Sequence, residues 1–160
     1  MIRGHESKIA EGPLAGWAAQ AVYALNALWF AAGFASFSLA QGRTLKMLVP
    51  HEARQDRLVP TIMAAVSFLG GMNAALGAFC VFLAARPDLF AGRAERAATL
   101  TFLAACNFSQ FACNLPVAAR GGRRGVAWWP VLAGPMLMIF IVDLALAIAD
   151  LAAAALLGQG

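Results

Sequence analysis

Six polar side chains within the apolar stretches of the sequence are the residues of this chain best suited to chemistry. They are four asparagines, one glutamine and one aspartate: Asn26, Asn73, Asn107, Gln110, Asn114 and Asp143. A carboxyl group inside a membrane is costly and is a common feature of binding sites and proton paths. Amides cost less to bury, but they still need hydrogen-bond partners. We therefore expect these six side chains to converge inside the fold as a polar intramembrane site.

Two interpretations of this predicted site stay open. In the first, the amides and Asp143 only join helices by hydrogen bonds, with the carboxyl group protonated or paired. In the second, they line a cavity that binds a small polar molecule or forms part of a proton-coupled transport path. Asp150 follows two turns later on the same helix face, and we expect it to lie nearer the interface and to be hydrated.

The residue types that hold cofactors are missing from the apolar stretches. Histidine occurs only at His5 and His51, and neither Lys8 nor Lys46 falls within such a stretch. This distribution argues against bis-histidine haem, histidine-ligated chlorophyll and a retinal Schiff base within one chain. The cysteines form no C-x-x-C pair, and no phosphate-loop, serine-hydrolase or zinc-protease motif appears. We therefore expect no catalytic, cofactor-binding or metal site, and we do not favour an enzyme.

The elements that must position the six residues are membrane helices. Of the 160 residues, 61% are hydrophobic and 12% are charged, which departs far from the composition of soluble domains. The charges cluster in the N-terminal tail and in three short loops, and each apolar stretch between them exceeds the roughly 20 residues that cross a bilayer as a helix. We predict an all-α fold: a single membrane domain, 1–160, that forms a four-transmembrane-helix antiparallel bundle with spans at about 14–40, 58–85, 97–119 and 126–157. Pro135, beside Gly134, should bend the fourth span or loosen its first turns.

The second predicted span has two distinct faces. Gly70, Asn73, Gly77 and Cys80 follow one another at helical spacing and share one side. A set of large apolar residues occupies the other side: Phe68, Met72, Phe79 and Phe82. Small residues let helices approach closely in a membrane. We therefore predict that the small face points inward and the aromatic face meets lipid or another protein.

The distribution of lysine and arginine predicts the orientation. One side of the predicted bundle carries five of them and the other carries seven, in the loops between spans one and two and between spans three and four. The positive-inside rule places these two loops in the cytoplasm and both termini outside. Arginine outnumbers lysine ten to two and alanine is abundant, a composition typical of GC-rich bacterial genomes. The expected location is the bacterial inner membrane.

The leading functional hypothesis is a non-catalytic accessory or assembly subunit of a larger membrane complex. It rests on the missing cofactor ligands, the aromatic face of span two and the apolar segment 44–50, which can lie on the membrane surface. Its partners would be the lipid bilayer and other membrane protein subunits. Nucleic-acid binding is not expected, since there is no soluble domain. The alternative is small-molecule binding or proton-coupled transport at the six polar residues.

A family resemblance adds to this interpretation. The second span is glycine-rich and is entered from Arg57, with Gly70 and Gly71 at its middle, and a short basic loop, 120–124, follows the third span. Together with the size of the chain, these features resemble the small bacterial four-helix membrane proteins of the DoxX and BphX-like kind over roughly the first three spans. The resemblance implies a one-domain bundle associated with a membrane redox system. It implies no functional residue in this chain.

Overall fold

The computed structural model describes residues 13–121, 123–124 and 127–158, and these form a helical fold. Five α-helices follow one another: α1 Pro13–Phe34, α2 Gln41–Leu48, α3 Val59–Ala85, α4 Arg93–Ala119 and α5 Gly134–Gly158. A π-helical turn, Ala35–Leu39, continues α1, and a short 3-10 turn, His51–Ala53, follows α2. Between α4 and α5, the two-residue strands β1 Arg123–Arg124 and β2 Ala127–Trp128 pair antiparallel.

Three helical stretches of the described chain are long and apolar enough to cross a membrane: Leu14–Leu39, Val59–Ala85 and Gly134–Gly158. The chain therefore has the helices of a small membrane protein. The predicted span 97–119 falls within α4, which is not among the three because its amides lower its hydropathy. The last span was predicted to start at 126, but helix α5 begins only at Gly134. Pro135 thus lies in the first turn of α5, where it starts the helix instead of bending it.

Contacts between side chains fix the directions of the helices. Asn26 of α1 meets Asp150 of α5, whereas Trp29 meets Asp143, so α1 and α5 run antiparallel. Helix α3 also runs against α1, since Gly77 lies beside Phe30 and Gly70 lies beside the later π-helical turn. Helix α4 runs with α1: Tyr23 meets Thr99, and Asn26 meets Asn107. The closest pairs are α1 with α3 and α4 with α5.

Burial on α3 follows the predicted pattern. Gly70, Asn73, Gly77 and Cys80 are all buried. Of the residues on the opposite side, Phe68, Met72 and Phe82 are exposed. Phe79 departs from the prediction, since it is half-buried against the core beside Phe90. The inward small face is therefore confirmed.

The bundle is closed at the end that holds the start of α1. The apolar core there joins all four long helices: Tyr23 of α1, Leu83 of α3, Leu103 of α4 and Leu157 of α5 are buried together. The start of α4 is fixed by Glu95, whose carboxylate accepts the backbone N–H of Gly92 at 3.2 Å. We call this end, with α1 residues 19–27, the packed half.

Candidate functional site

The polar centre of the packed half is a cluster around Asp150. Asn26 Nδ2 donates to Asp150 Oδ1 at 2.9 Å, and Asn107 Nδ2 donates to Asp150 Oδ2 at 3.1 Å. Asn107 Nδ2 also lies 2.7 Å from its acceptor Asn26 Oδ1. All three side chains are fully buried. The cluster therefore joins α1, α4 and α5 through a carboxyl group that accepts one amide N–H at each oxygen.

One atom of this cluster has no partner among the described residues. Asn107 Oδ1 is buried and accepts no hydrogen bond. A buried acceptor without a donor is unfavourable, so Asn107 retains an unused acceptor beside the carboxyl group.

Asp143 lies farther along α5 and has a separate environment. Trp29 Nε1 of α1 donates to Asp143 Oδ1 at 2.8 Å. The other oxygen, Asp143 Oδ2, is buried and has no hydrogen-bond partner in the described chain. Asp143 is thus held in place from one side by an indole, and its second oxygen is unused.

Trp29 also forms part of the wall of a cavity. This first cavity has a volume of about 330 Å³ and lies between the end of α1, α2, α3, α4 and the start of α5. Most of its lining is apolar, and a few polar side chains are added: Ser36, Arg43, Thr44, Asn73 and Gln110. Within the described residues, the side chain of Gln110 makes no hydrogen bond, and Asn73 uses only its Nδ2, which donates to Leu69 O at 3.0 Å. Hydrogen-bonding capacity is therefore available inside the cavity.

The local backbone explains why space exists here. At the end of α1 the helix widens into the π-helical turn, where Ala40 N–H donates to Ala35 O, five residues back, at 2.8 Å. Such turns are frequent at functional sites. The hydroxyl of Thr44 then donates to Ser36 O at 2.6 Å and holds α2 against the turn. Helix α2 thereby covers one side of the cavity.

Two glycines of this region set the distances between the helices. A Cβ on Gly70 would lie 3.0 Å from Ser38 N and 3.2 Å from the carbonyl carbon of Phe37. A Cβ on Gly33 would lie 2.9 Å from Asn73 Oδ1. Gly70 therefore needs a residue without a side chain, since a Cβ there would push α3 away from the π-helical turn. At Gly33 the atoms nearest to a Cβ belong to the amide end of the Asn73 side chain, which would have to shift.

A second cavity, of about 310 Å³, lies between α3 and α4. It shares Phe37, Gln110 and Ile139 with the first cavity. Asn114 and Trp129 also line it, and Trp129 Nε1 donates to Asn114 Oδ1 at 3.1 Å. We call the region of the two cavities, from Trp29 through α2 together with the start of α5, the open half.

The six predicted site residues fall into three groups. Asn26 and Asn107 meet at Asp150 in the packed half. Asn73 and Gln110 line the first cavity, to which Asp143 connects through Trp29. Asn114 lines the second cavity, to which Gln110 also belongs. The structure brings together the members of each group, and it does not unite all six in one cavity.

The structure gives two residues of the site a role that the sequence did not predict, Asp150 and Trp29. Asp150 was expected to be hydrated, but it is fully buried, because amides from two other helices reach it. Trp29 had no predicted role. Its position near the middle of the first span could have indicated a role, because tryptophan in membranes favours the interface and a buried indole N–H needs an acceptor.

The arrangement can bind and orient a molecule through hydrogen bonds and apolar contact. Within the described residues, no group of three or more His, Cys, Asp or Glu side chains is placed to hold a metal ion. No protein-family model matches the chain, and no match was found among the curated proteins or the solved structures. Function must therefore be argued from this geometry alone.

Proposed function

We propose that this chain is a non-catalytic integral membrane protein that binds a small, largely apolar molecule in the first cavity. The observation that carries the proposal is the cavity itself. Its apolar wall contains the amide oxygen of Asn73 and the whole amide group of Gln110, and neither makes a hydrogen bond to a described residue. Ligand sites typically enclose about 300–1,000 Å³ and combine apolar walls with a few polar groups. The cavity has this size and this composition.

We further propose that α4 is the fourth span of an up-down-up-down bundle. The topology supports this, since α3 and α5 both run against α1. If α1, α3 and α5 cross the membrane, the chain must cross once more between Ala85 and Gly134, and α4 is the long helix of that interval. Its 27 residues reach about 40 Å at 1.5 Å per residue. Of the amide side chains that lower its hydropathy, Asn107 bonds to buried partners, and Gln110 and Asn114 line the cavities.

The crossing of α4 can be tested by cysteine labelling. In a chain whose Cys80, Cys106 and Cys113 are replaced by alanine, Ala91→Cys and Arg120→Cys introduce one thiol at each end of α4. A membrane-impermeant maleimide added outside sealed vesicles should label only one of the two variants. Labelling of both from the same side would contradict a fourth span.

The proposed location is the bacterial inner membrane, with both loops of the open half in the cytoplasm. Four basic residues of the first loop support this orientation: Arg43, Lys46, Arg54 and Arg57. Arg54 is held in the loop, since its guanidinium donates to Val49 O at 3.0 Å and to Lys46 O at 3.1 Å. The first cavity would then lie toward the cytoplasmic leaflet.

Ligand binding can be measured with the native tryptophans. In a variant that keeps Trp29 and carries phenylalanine at positions 17, 128 and 129, bromobenzyl alcohol in phosphatidylcholine vesicles should quench Trp29 fluorescence saturably. Ala32→Phe narrows the cavity. If the ring of Ala32→Phe overlaps the bound ligand at a cost of about 1 kcal/mol or more, the affinity should fall about fivefold or more.

Two matched variants control this measurement. Ala24→Phe makes the same change at an exposed position of α1 outside both cavities, and it should leave the affinity unchanged. A variant that keeps only Trp17, which is exposed at the other end of α1, should show quenching that rises linearly with the probe in the bilayer. Linear quenching at Trp29 as well would contradict a binding site.

Proton-coupled transport is a second candidate, and one observation favours it. Trp29 contacts both the cavity and Asp143, so a ligand beside the indole would be one hydrogen bond away from a buried carboxyl group. Asp143→Asn keeps an acceptor for Trp29 and removes the titrating proton, whereas Asp143→Leu removes both. A carrier should lose pH-dependent uptake in Asp143→Asn and retain ligand binding. Uptake that keeps its pH dependence in this variant would exclude Asp143 as the proton site.

The accessory-subunit hypothesis remains a proposal as well, and the exposed face of Phe68, Met72 and Phe82 supports it. Lipid can cover this face, but so can a helix of another protein. Gentle solubilisation followed by native mass spectrometry distinguishes the two. A stoichiometric partner would favour the accessory role, and a chain that always migrates alone would exclude it.

A further inference from the structure

Among the described residues that line the first cavity, Arg43 is the one with a charged side chain. Arg43 lies at the start of α2, where it is exposed and borders the cavity mouth. It makes no hydrogen bond or ion pair through its side chain to any described residue. By contrast, Arg54 in the same loop is bonded to two backbone carbonyls. Arg43 is therefore free to bind an anion at the mouth of an apolar cavity.

The two cavities are neighbours in the open half. Phe37, Gln110 and Ile139 belong to the walls of both. On the far side, the second cavity is bounded by α3 and α4, two helices that make almost no close approach to each other. Leu69 and Ser109, on these two helices, are exposed. An elongated molecule that enters at Arg43 and passes these shared residues would reach the gap between α3 and α4.

We propose that the ligand is a single-chain anionic amphiphile of the fatty carboxylate class. Its headgroup binds Arg43, because a guanidinium forms strong charge-assisted bonds with carboxylates. Its chain passes Trp29 and continues beyond Phe37 and Gln110 into the second cavity. This inference rests on the proposed function and adds the charge, the shape and the direction of the ligand.

The probe is stearate with two bromines at mid-chain, compared with its uncharged methyl ester. Each is titrated into phosphatidylcholine vesicles that hold single-tryptophan variants of the full chain. The variant with only Trp29 reports on the first cavity, and the variant with only Trp129 reports on the second. The variant with only Trp17 measures the amount of probe in the bilayer, to which the other two are normalised.

The acid should quench both Trp29 and Trp129 saturably, and it should bind about tenfold more tightly than the ester, as expected for a charge-assisted bond. Arg43→Gln should abolish this preference. Lys46→Gln removes the same charge from the next turn of α2, outside both cavities, and it should keep the preference.

Three results would overturn the inference. The first is equal affinity for acid and ester, and the second is a preference that survives Arg43→Gln. The third is saturable quenching of Trp29 without quenching of Trp129, which would mean that the chain does not cross. If bromobenzyl alcohol still binds in any of these cases, the proposed function stands and only the amphiphile is excluded. If neither probe quenches Trp29 saturably, both proposals fail.

Discussion

The packed half and the open half are built from the same long helices, but the packed half is filled by side chains, whereas the open half encloses cavities. In the packed half, side chains from α1, α3, α4 and α5 share one core, and Asp150 accepts a hydrogen bond at each oxygen. In the open half, the same helices enclose two cavities, and polar groups such as Gln110 are left without partners among the described residues. Asp143 there has one donor and one unused oxygen.

The difference has a local cause. The π-helical turn ends the regular α1 helix at Phe34. Helix α5 begins only at Gly134, whose φ of 56° lies in the left-handed region that favours glycine. These irregular ends keep α1 and α5 from closing on each other as they do around Asp150. In a membrane, where the hydrophobic effect does not drive helices together, hydrogen bonds and small residues decide which parts close and which parts keep space.

The largest effect should follow from breaking the packed half at Asp150. Asp150→Leu removes the acceptor of one N–H from each of the buried amides of Asn26 and Asn107, at a cost of about 1–3 kcal/mol each. The second N–H of each amide keeps its acceptor, Val22 O or Asn26 Oδ1. Asp150→Asn should cost less, because its amide oxygen can keep the bond from Asn26 and only the bond from Asn107 is lost. Reversible unfolding in micelles measures both free energies. Equal destabilisation by the two variants would contradict the assigned hydrogen bonds.

The next effect concerns the close approach of α3 to the π-helical turn. Gly70→Ala introduces a Cβ 3.0 Å from Ser38 N, so the turn must shift, and we expect a loss of stability of about 1–3 kcal/mol. Gly71→Ala is the matched control, because a Cβ there meets no atom within 4 Å. Alanine is the better helix former, so Gly71→Ala should be neutral or stabilising by up to about 1 kcal/mol. If both variants behave alike, the turn does not depend on Gly70.

A smaller effect should appear when the second cavity is filled. Ser109→Phe places a ring in the gap between α3 and α4 and should weaken binding of the brominated stearate about fivefold, the equivalent of about 1 kcal/mol. Thr101→Phe is matched, since both hydroxyls are exposed and bond to carbonyls of α4 itself, at Cys106 and Ala97. The control should bind like the unchanged chain. An affinity that is insensitive to Ser109→Phe would separate the second cavity from the site.

The smallest effect belongs to the ion pair of the loop between α3 and α4. Arg86 and Asp88 lie 2.9 Å apart with both side chains more than half exposed, and the hydrogen bond from Arg86 lowers the pKa of Asp88. The pair therefore contributes above the unfolded-state pKa and loses its contribution as pH falls through the folded-state value. Solvent and salt screen it. Asp88→Asn should leave the melting temperature unchanged at neutral pH, and a clear drop would contradict this.

The sequence predicted the four long helices, and the faces that periodicity controls, such as the inward side of α3 with Gly70 and Gly77. It did not predict helix α2, which lies in the segment that was expected to be a loop. It also identified side chains that need polar partners. It did not predict which of these would meet, because pairing depends on helix rotation and on contacts between distant parts of the chain. Asn26 thus pairs with Asp150 and not with Asp143. The π-helical turn has no signature in Ala35–Leu39, and the apolar residues before Pro130 concealed the late start of α5.

The most direct test of the central claim, that the open half holds a ligand and the packed half does not, is a crystal structure grown from a lipidic phase with bromobenzyl alcohol. The account predicts an anomalous bromine peak in the first cavity, beside Trp29 and within reach of Gln110, and none among Tyr23, Leu83 and Leu103. A structure in which the end of α1 packs directly against α5 and leaves no room for the probe would contradict it.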